Sequence, residues 1–366
     1  MNNLPRIALI IPGGIGTGKD NIGVPVLERI VGLLSNDFSV TVFQLFPRNK
    51  GYITEGFELV DIRSPFLFFR ILKFFVLLLR SHRRKKFKVL HGFWAMPGGF
   101  LAVVAGKVLG IKSIVSVLGG DAIALPEIKY GQLINPLYRV LIFWTLKQAN
   151  EVIVLTKYLE DNLKRSGFSR YGIRIIPWGI DASMFTYQEK PLGNPVRFLH
   201  IGNLNRVKDQ ATLLQAFKLI RDKLDSTLTI VGEGPCEKNV KQLISDLGLE
   251  QYVVMIAPVP YHELVPYYHA SDVLLHTSLS EGQCEVVTEA MSAGVLVCGT
   301  SVGLMYDCPS CCVSVDVGNY DLLAQCVLDV IADPKKSAAI RNNAREWTIY
   351  HSIQWTCSQI ERIYAE

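Results

Sequence analysis

The chain has 366 residues, 49% of them hydrophobic and 19% charged, with a formal net charge of +5 at pH 7. This length exceeds one ordinary domain, and the apolar share is enough for two cores, which excludes a disordered chain. The positive surplus gathers at Arg80, Arg83, Arg84, Lys85, Lys86 and Lys88, next to aliphatic and phenylalanine side chains rather than polar base-readers, so no nucleic-acid partner is expected.

The opening residues lack a long apolar stretch and a small-residue cleavage site, so the expected location is cytoplasmic. The first apolar run, Ile7–Ile11, reads as a strand, and Val26–Leu34 as a helix with Pro25 suited to its first position. Between them lies a glycine loop. Gly13, Gly18 and Lys19 have the spacing of a phosphate-binding P-loop, but Asp20 stands where Ser or Thr would hold magnesium. A dinucleotide G-x-G-x-x-G pattern also fails, because Gly14 and Gly16 are followed by Lys19. Two readings remain open for Gly14 and Gly16: a backbone loop that lets a diphosphate or an acceptor approach its N–H groups, or a flexible strand-to-helix turn.

Ser39–Phe43, Val89–Gly92, Ser113–Val117, Glu151–Leu155 and Arg174–Ile176 read as further strands, with a helix at Phe100–Leu109. Phe66 to Leu79 is strongly apolar with Arg70 and Lys73 inside it. It is too short and too charged to span a bilayer comfortably. The segment 66–88 reads either as a helix lying on an anionic membrane surface or as a buried helix with a solvated basic end.

The alternation of strand and helix stops near Phe185, and Thr186 to Pro195 is polar with two prolines and a glycine, as a linker would be. It restarts with Val196–Ile201, Ser226–Val231, Val253–Ile256, Val273–His276, Val295–Cys298 and Cys312–Val315. The expected fold is therefore α/β, with two Rossmann-like parallel-sheet domains and a ligand cleft between the carboxyl ends of the two sheets. The expected divisions are a first domain at 1–185, a linker at 186–195, a second domain at 196–345 and a final helix at 346–366.

All eight cysteines lie after residue 235. This speaks against a secreted disulfide framework, and Cys308, Cys311 and Cys312 have no second ligand pair at zinc spacing. Ordinary reduced cysteines and no metal are expected.

The chemistry concentrates in the second half. Ile201-Gly202-Asn203-Leu204-Asn205-Arg206-Val207-Lys208 leaves the first strand there, so Arg206 and Lys208 come to a strand-to-helix loop where two cations would neutralise a leaving diphosphate. Gly232 and Gly234 form the turn after the next strand. In SLSEGQCEVVTEAMSA, Glu281 and Glu289 stand eight positions apart across a helix start. They suit a sugar nucleotide, with carboxylates accepting from hydroxyls and the helix end receiving phosphate, although a solvated acidic helix start would look the same.

Taken in order, IPWGIDASMF (Ile176–Phe185), GNLNRVKD, VGEGP and ASDVLLHTSLSEGQCEVVTEAMSAG resemble the retaining family-four glycosyltransferases of GT-B architecture. HGFWAMPGG (His91–Gly99), VLGGDA (Val117–Ala122) and the chain end HSIQWTCSQIERIYAE add to the resemblance. It implies a transferase that moves a sugar from a UDP- or GDP-sugar to an acceptor hydroxyl with retention, in polysaccharide, lipopolysaccharide or glycolipid synthesis. The acceptor would be a glycan or lipid-linked, and neither metal nor other cofactor would be needed. Lys208 with Arg206 would steady the diphosphate, Glu289 would hold the ribose, and Glu281 with the backbone of Gly282, Gln283, Cys284 and Glu285 would hold the donor sugar's hydroxyls. Gly14, Gly16, Gly202, Gly232 and Gly234 would let the donor approach, and Asp121 would contribute to catalysis or cap its loop. The chain departs from the family pattern at Leu118 (commonly His), Asn203 (commonly Arg), Gln283 and Cys284. A non-catalytic sugar-nucleotide-binding or partner protein on the same fold is the alternative.

Overall fold

The computed structural model describes residues 4–17, 23–64 and 66–366. Gly18, Lys19 and Asp20 of the P-loop reading lie outside the described residues. The chain forms two compact units. The first contains the described residues up to Leu155, then Leu159–Pro177 and Ile353–Glu366, and the second contains Thr156–Tyr158 and Trp178–Ser352.

In the first unit, β1 (Arg6–Ile11), α1 (Pro25–Leu34), β2 (Ser39–Gln44), β3 (Glu58–Asp61), α2 (Leu67–Arg84), β4 (Val89–Phe93), α3 (Phe100–Leu109), β5 (Lys112–Val117), α4 (Pro136–Gln148), β6 (Glu151–Val154), α5 (Lys157–Arg165) and β7 (Ile173–Ile175) follow one another. The sheet is parallel throughout, in the order β3-β2-β1-β4-β5-β6-β7. Ile7–Ile11 is fully buried, as a run with helices on both faces must be. β3 has no counterpart in the sequence reading. It is a short edge strand, ELVD, half-exposed and without an apolar run to betray it.

The loop after β1 is built into this unit. Gln44, buried at the end of β2, accepts from the Ile15 N–H at 3.1 Å and donates to the Ile15 carbonyl at 3.0 Å. Gly16 adopts a left-handed φ of 57°, and a Cβ there would lie 2.3 Å from the Tyr52 ring. Gly14 accepts from the Val24 N–H at 2.7 Å, so these glycines shape a pinned turn.

α2 buries Phe74 and Leu78 under Phe43 and Phe87. Its C-terminal carbonyls are met by Arg6, whose guanidinium donates to the Ser81 and Lys85 carbonyls at 2.8 and 2.9 Å. The other face exposes Phe66, Phe68, Phe69, Leu72 and Val76.

In the second unit, β8 (Val196–Ile201), α6 (Gln210–Arg221), β9 (Ser226–Val231), α7 (Glu237–Asp246), β10 (Val253–Ile256), α8 (Val265–Ala270), β11 (Val273–His276), α9 (Glu285–Ala293), β12 (Leu296–Thr300), α10 (Leu304–Asp307), β13 (Val313–Val315), α11 (Tyr320–Ala332) and α12 (Pro334–Tyr350) form a parallel sheet in the order β10-β9-β8-β11-β12-β13 with its helices. Asp209 caps α6 through Thr212, and Asp333 caps α12 just ahead of Pro334.

The division between units falls after Pro177, ahead of the expected 185/186 boundary. The reason is packing: Phe185 is fully buried in the second core, and Ile180 bridges to Ser352. The final segment joins the first unit as α13 (Ile353–Ala365), starting later than the expected 346 because α12 runs to Tyr350. α13 is seated by Tyr364, whose hydroxyl lies 2.7 Å from Nδ1 of the buried His91, and by Lys112, which donates to the Ile363 carbonyl at 2.6 Å. Burial pushes His91 down to about 3, so it is neutral here. Cys308 and Cys311 are joined as a disulfide, which corrects the expectation of reduced thiols there. Their Cα atoms stand 5.4 Å apart across the turn after α10, within bonding reach. The other six cysteines are free.

Tyr364→Phe removes a buried partner of His91 without changing the ring packing. It is expected to lower the unfolding free energy by about 1–3 kcal/mol in urea titrations; an unchanged midpoint would show that this bond does not hold α13.

Candidate active site

The second sheet reverses its strand order between β8 and β11, the place where open α/β sheets bind ligands. Two loops leave the strands there. The β8 loop is held in shape by its neighbour: the Leu204 N–H donates to the Glu233 carbonyl at 2.9 Å, and the Cys236 N–H to the Leu204 carbonyl at 2.8 Å. A Cβ at Gly232 would lie 2.0 Å from the Gly202 carbonyl oxygen, so the two turns meet only because that residue is glycine. Gly234 approaches Leu204 in the same way. These glycines are spacers between backbones.

Asn205 then accepts from the Lys208 N–H at 3.3 Å and closes a short helical turn over Arg206–Lys208. The β11 loop is tied to this turn by the Leu279 N–H on the Val207 carbonyl at 2.8 Å and by the Thr277 hydroxyl on the Lys208 and Asp209 carbonyls at 3.2 and 3.0 Å. The result is an ion pair between loops that are distant in sequence, with Lys208 Nζ 2.6 Å from Glu281 Oε1. The same oxygen accepts from Ser278 Oγ at 2.6 Å and faces His276 Nε2 at 3.1 Å.

Burial by itself would raise the Glu281 carboxyl, but Lys208 and His276 overcome it and hold the group well below the carboxylate range. Further along α9 the balance is opposite. Burial, Glu289 and Glu281 push the half-buried Glu285 up to about 8 against the pull of Lys208. Glu289 is 2% exposed, and burial pushes it up to about 7 although Tyr268 and Tyr261 both hydrogen-bond it. The site therefore combines one firmly ionised carboxylate with two that hold protons near neutrality.

Other expected residues take different places. Arg206 is exposed on the same turn as Lys208. Gly282 is half-buried beside Glu281. Gln283 is buried and spent on the backbone: it accepts from the Trp178 N–H at 2.7 Å and donates to the Trp178 carbonyl at 2.6 Å. Both amide groups of its side chain hold Trp178, which leaves the Gln283 backbone as the part that the expected sugar contact concerns. Cys284 is buried at the cap of α9 with φ +84°, and its thiol lies 3.2 Å from His276 Nε2. Asn203 is exposed, and its carbonyl accepts from Gln210.

Asp121, Leu118, Gly14 and Gly16 belong to the first unit. Asp121 is 1% exposed and accepts from the N–H groups of Ala95, Gly119 and Leu118 at 2.7, 2.8 and 3.2 Å. Its carboxylate accepts from these three backbone groups and anchors the loop, the arrangement expected of a cap.

Sequence reasoning passed over His276, Ser278, Tyr261 and Tyr268. A signal existed for His276, a polar residue closing an otherwise aliphatic strand at its carboxyl end.

The chain superposes on solved structures over nearly its whole length. Sucrose-phosphate synthase from Thermosynechococcus elongatus superposes with a TM-score of 0.80 at 19% identity, covering 99% of this chain and 98% of that one. Anabaena HepE in complex with UDP and glucose superposes with a TM-score of 0.77 at 18% identity, covering 98% and 99%. Two Rossmann-like parallel-sheet units of this kind define the GT-B fold. The description "Glycosyltransferase Family 4" matches residues 24–184 and "Glycosyl transferases group 1" matches 186–347, and the chain belongs to this glycosyltransferase family. It is 26% identical over 231 residues to N-acetyl-alpha-D-glucosaminyl L-malate synthase of Bacillus anthracis, a match covering 60% of this chain and 58% of the relative.

The raised carboxyl of Glu289 has a measurable consequence. A folded value near 7 against an ordinary 4.5 means that the native state binds the proton more tightly, so this contribution to stability is full below about pH 4.5 and is lost as pH rises through 7. Glu289→Gln should abolish that loss. Between pH 5 and 8 the ligand-free wild type should lose stability relative to the variant by on the order of 3 kcal/mol, read from denaturant midpoints; parallel pH profiles would refute the assignment.

Proposed function

We propose that the protein transfers a sugar from a nucleoside-diphosphate donor to an acceptor hydroxyl, with retention at the anomeric carbon and without a catalytic metal. The observation that carries this reading is the Lys208–Glu281 pair at the switch point of the second sheet, with Glu289 further along α9. In the ligand-free protein Lys208 neutralises Glu281. When a donor arrives, its diphosphate competes for the ammonium and for exposed Arg206, and Glu281, kept ionised, accepts from sugar hydroxyls. Glu289, held by Tyr268, accepts from the ribose. As the anomeric carbon–phosphate bond breaks, the acceptor oxygen bonds to the same face and its proton passes to the leaving phosphate oxygen, whose growing charge Lys208 and Arg206 stabilise. The complex of HepE with UDP and glucose supports a UDP-sugar donor, and a GDP-sugar has the same diphosphate and ribose chemistry.

A lipid-linked or glycan acceptor reached at a membrane surface completes the reading. Phe66, Phe68, Phe69 and Leu72 are each more than half exposed on or just before a helix that ends in His82, Arg83 and Arg84. Rings entering the acyl boundary with basic side chains on anionic headgroups fit peripheral binding. Among the described residues no helix is long and apolar enough to cross a membrane.

A panel of UDP-, GDP- and ADP-sugars should contain a donor that raises the melting temperature and is hydrolysed or transferred. Lys208→Met and Glu281→Gln should each reduce turnover about 100-fold or more. Stabilisation without any turnover would instead establish the non-catalytic alternative. Separately, the protein should sediment with phosphatidylglycerol vesicles at low salt, and Phe68→Ser with Phe69→Ser should weaken this. Failure of the wild type to sediment would remove the membrane arm alone.

A further inference from the structure

His276 closes β11, Glu281 lies on the loop that follows, and Cys284 caps α9, so three different ligand types converge from three points of one β-loop-α unit. His276 Nε2 is 3.1 Å from Glu281 Oε1 and 3.2 Å from Cys284 Sγ, and the three groups present ligand atoms all within 4.8 Å of one another. Tetrahedral coordination at bond lengths of ~2.0–2.3 Å sets ligand atoms about 3.3–3.8 Å apart, so small side-chain adjustments suffice. His276 is 1% and Cys284 7% exposed, while Glu281 keeps 14% of its side chain exposed and leaves an opening for a water as fourth ligand.

The backbone adds an independent observation. Cys284 holds φ +84°, a left-handed conformation that costs a residue with a Cβ roughly 1–2 kcal/mol. The conformation brings the thiol onto the imidazole, at a buried cluster that also holds Val287 and Met291. Strain retained at a converging set of nitrogen, oxygen and sulfur atoms points to a ligand for that set.

We propose that His276, Glu281 and Cys284 bind one divalent cation of borderline softness, zinc above all, and that the bound ion switches the site off. Thiolate, imidazole and carboxylate together select such an ion over magnesium or calcium, and the two anionic ligands balance its charge. On binding, the Cys284 thiol gives one proton to solvent as the sulfur–metal bond forms. Nε2 of neutral His276 donates its lone pair while Nδ1 keeps the ring proton, and a Glu281 oxygen exchanges the Lys208 hydrogen bond for the metal. No electron is transferred. The switching-off rests on the proposed donor role of Glu281, because a carboxylate ligating metal no longer receives sugar hydroxyls.

The test uses the full chain, stripped with EDTA and titrated with Co²⁺ and then Zn²⁺. One Co²⁺ per chain should bind with a thiolate-to-cobalt charge-transfer band, and Zn²⁺ should displace it. Cys284→Gly, which the backbone tolerates, should lose the band, and His276→Gln should weaken binding at least 10-fold, with circular dichroism confirming that both fold. The double change Cys308→Ser, Cys311→Ser should keep the band. A missing band in the wild type, a band that survives in Cys284→Gly, or one lost in the double variant would each overturn the site. UDP-glucose binding is read in parallel. A 10-fold or greater rise in its apparent Kd at saturating Zn²⁺ supports the switch, and an unchanged Kd with a cobalt band present overturns the switch. Absence of binding to every UDP-, GDP- and ADP-sugar of the panel in metal-free protein, with the band intact, would count against the proposed function and leave the metal site standing.

Discussion

One ion pair organises the donor-side chemistry of this chain. Lys208 and Glu281 are 73 positions apart in sequence, yet they meet because β8 and β11 are neighbours in the sheet while β9 and β10 continue on the other side of β8. A strand order that reverses leaves a gap between the loops of adjacent strands, and the gap is where side chains from both loops converge. The Leu279 N–H and the Thr277 hydroxyl tie the two loops together, and the ion pair spans that frame. Ser278 and His276 satisfy the same carboxylate oxygen, so the buried pair has the extra hydrogen bonds without which desolvation would outweigh attraction.

The same frame separates the protonation states of three carboxyls on a short stretch of chain. Glu281 has the ammonium and stays ionised. Glu285 and Glu289 lie further along α9, where burial raises both and repulsion from Glu289 and Glu281 adds to the rise at Glu285. Pairs of titratable groups pushed apart by their surroundings mark functional sites more often than structural ones. Here the division also suits the work proposed: an ionised acceptor for sugar hydroxyls, and a carboxyl near its titration point beside tyrosine hydroxyls, able to donate as well as accept.

The fold was largely readable from sequence because most strands are aliphatic runs bounded by glycine, proline or charge, and their helices carry recognisable starts such as Pro25. β3 escaped because an edge strand needs no apolar run. The unit boundary escaped because the linker's polarity is local, whereas membership of Trp178–Phe185 is decided by Phe185 burying in the second core. At the site, Lys208 and Glu281 were legible as chemistry but not as a pair, since no spacing rule reports that their strands are adjacent. Gln283 and Asp121 show what residue type alone leaves out. Both are polar residues in motif positions, and both have their hydrogen-bonding capacity taken by backbone groups, Trp178 for one and the Leu118–Gly119 and Ala95 N–H groups for the other. A motif names residue types, and only the three-dimensional hydrogen-bond census says which of them still has a lone pair or a proton to offer.

Cys284 carries that distinction furthest. By type it is a small buried thiol, which in most cores is inert packing. By position it is different: its backbone is left-handed, a conformation that glycine would adopt at the same cap without strain. The thiol instead lies against an imidazole that also faces the carboxylate paired with Lys208. Any event at that sulfur, whether metal ligation or substitution, is therefore two contacts from the ammonium that the donor diphosphate would claim. The residue that departs from the expected pattern is mechanically continuous with the ion pair on which the site depends.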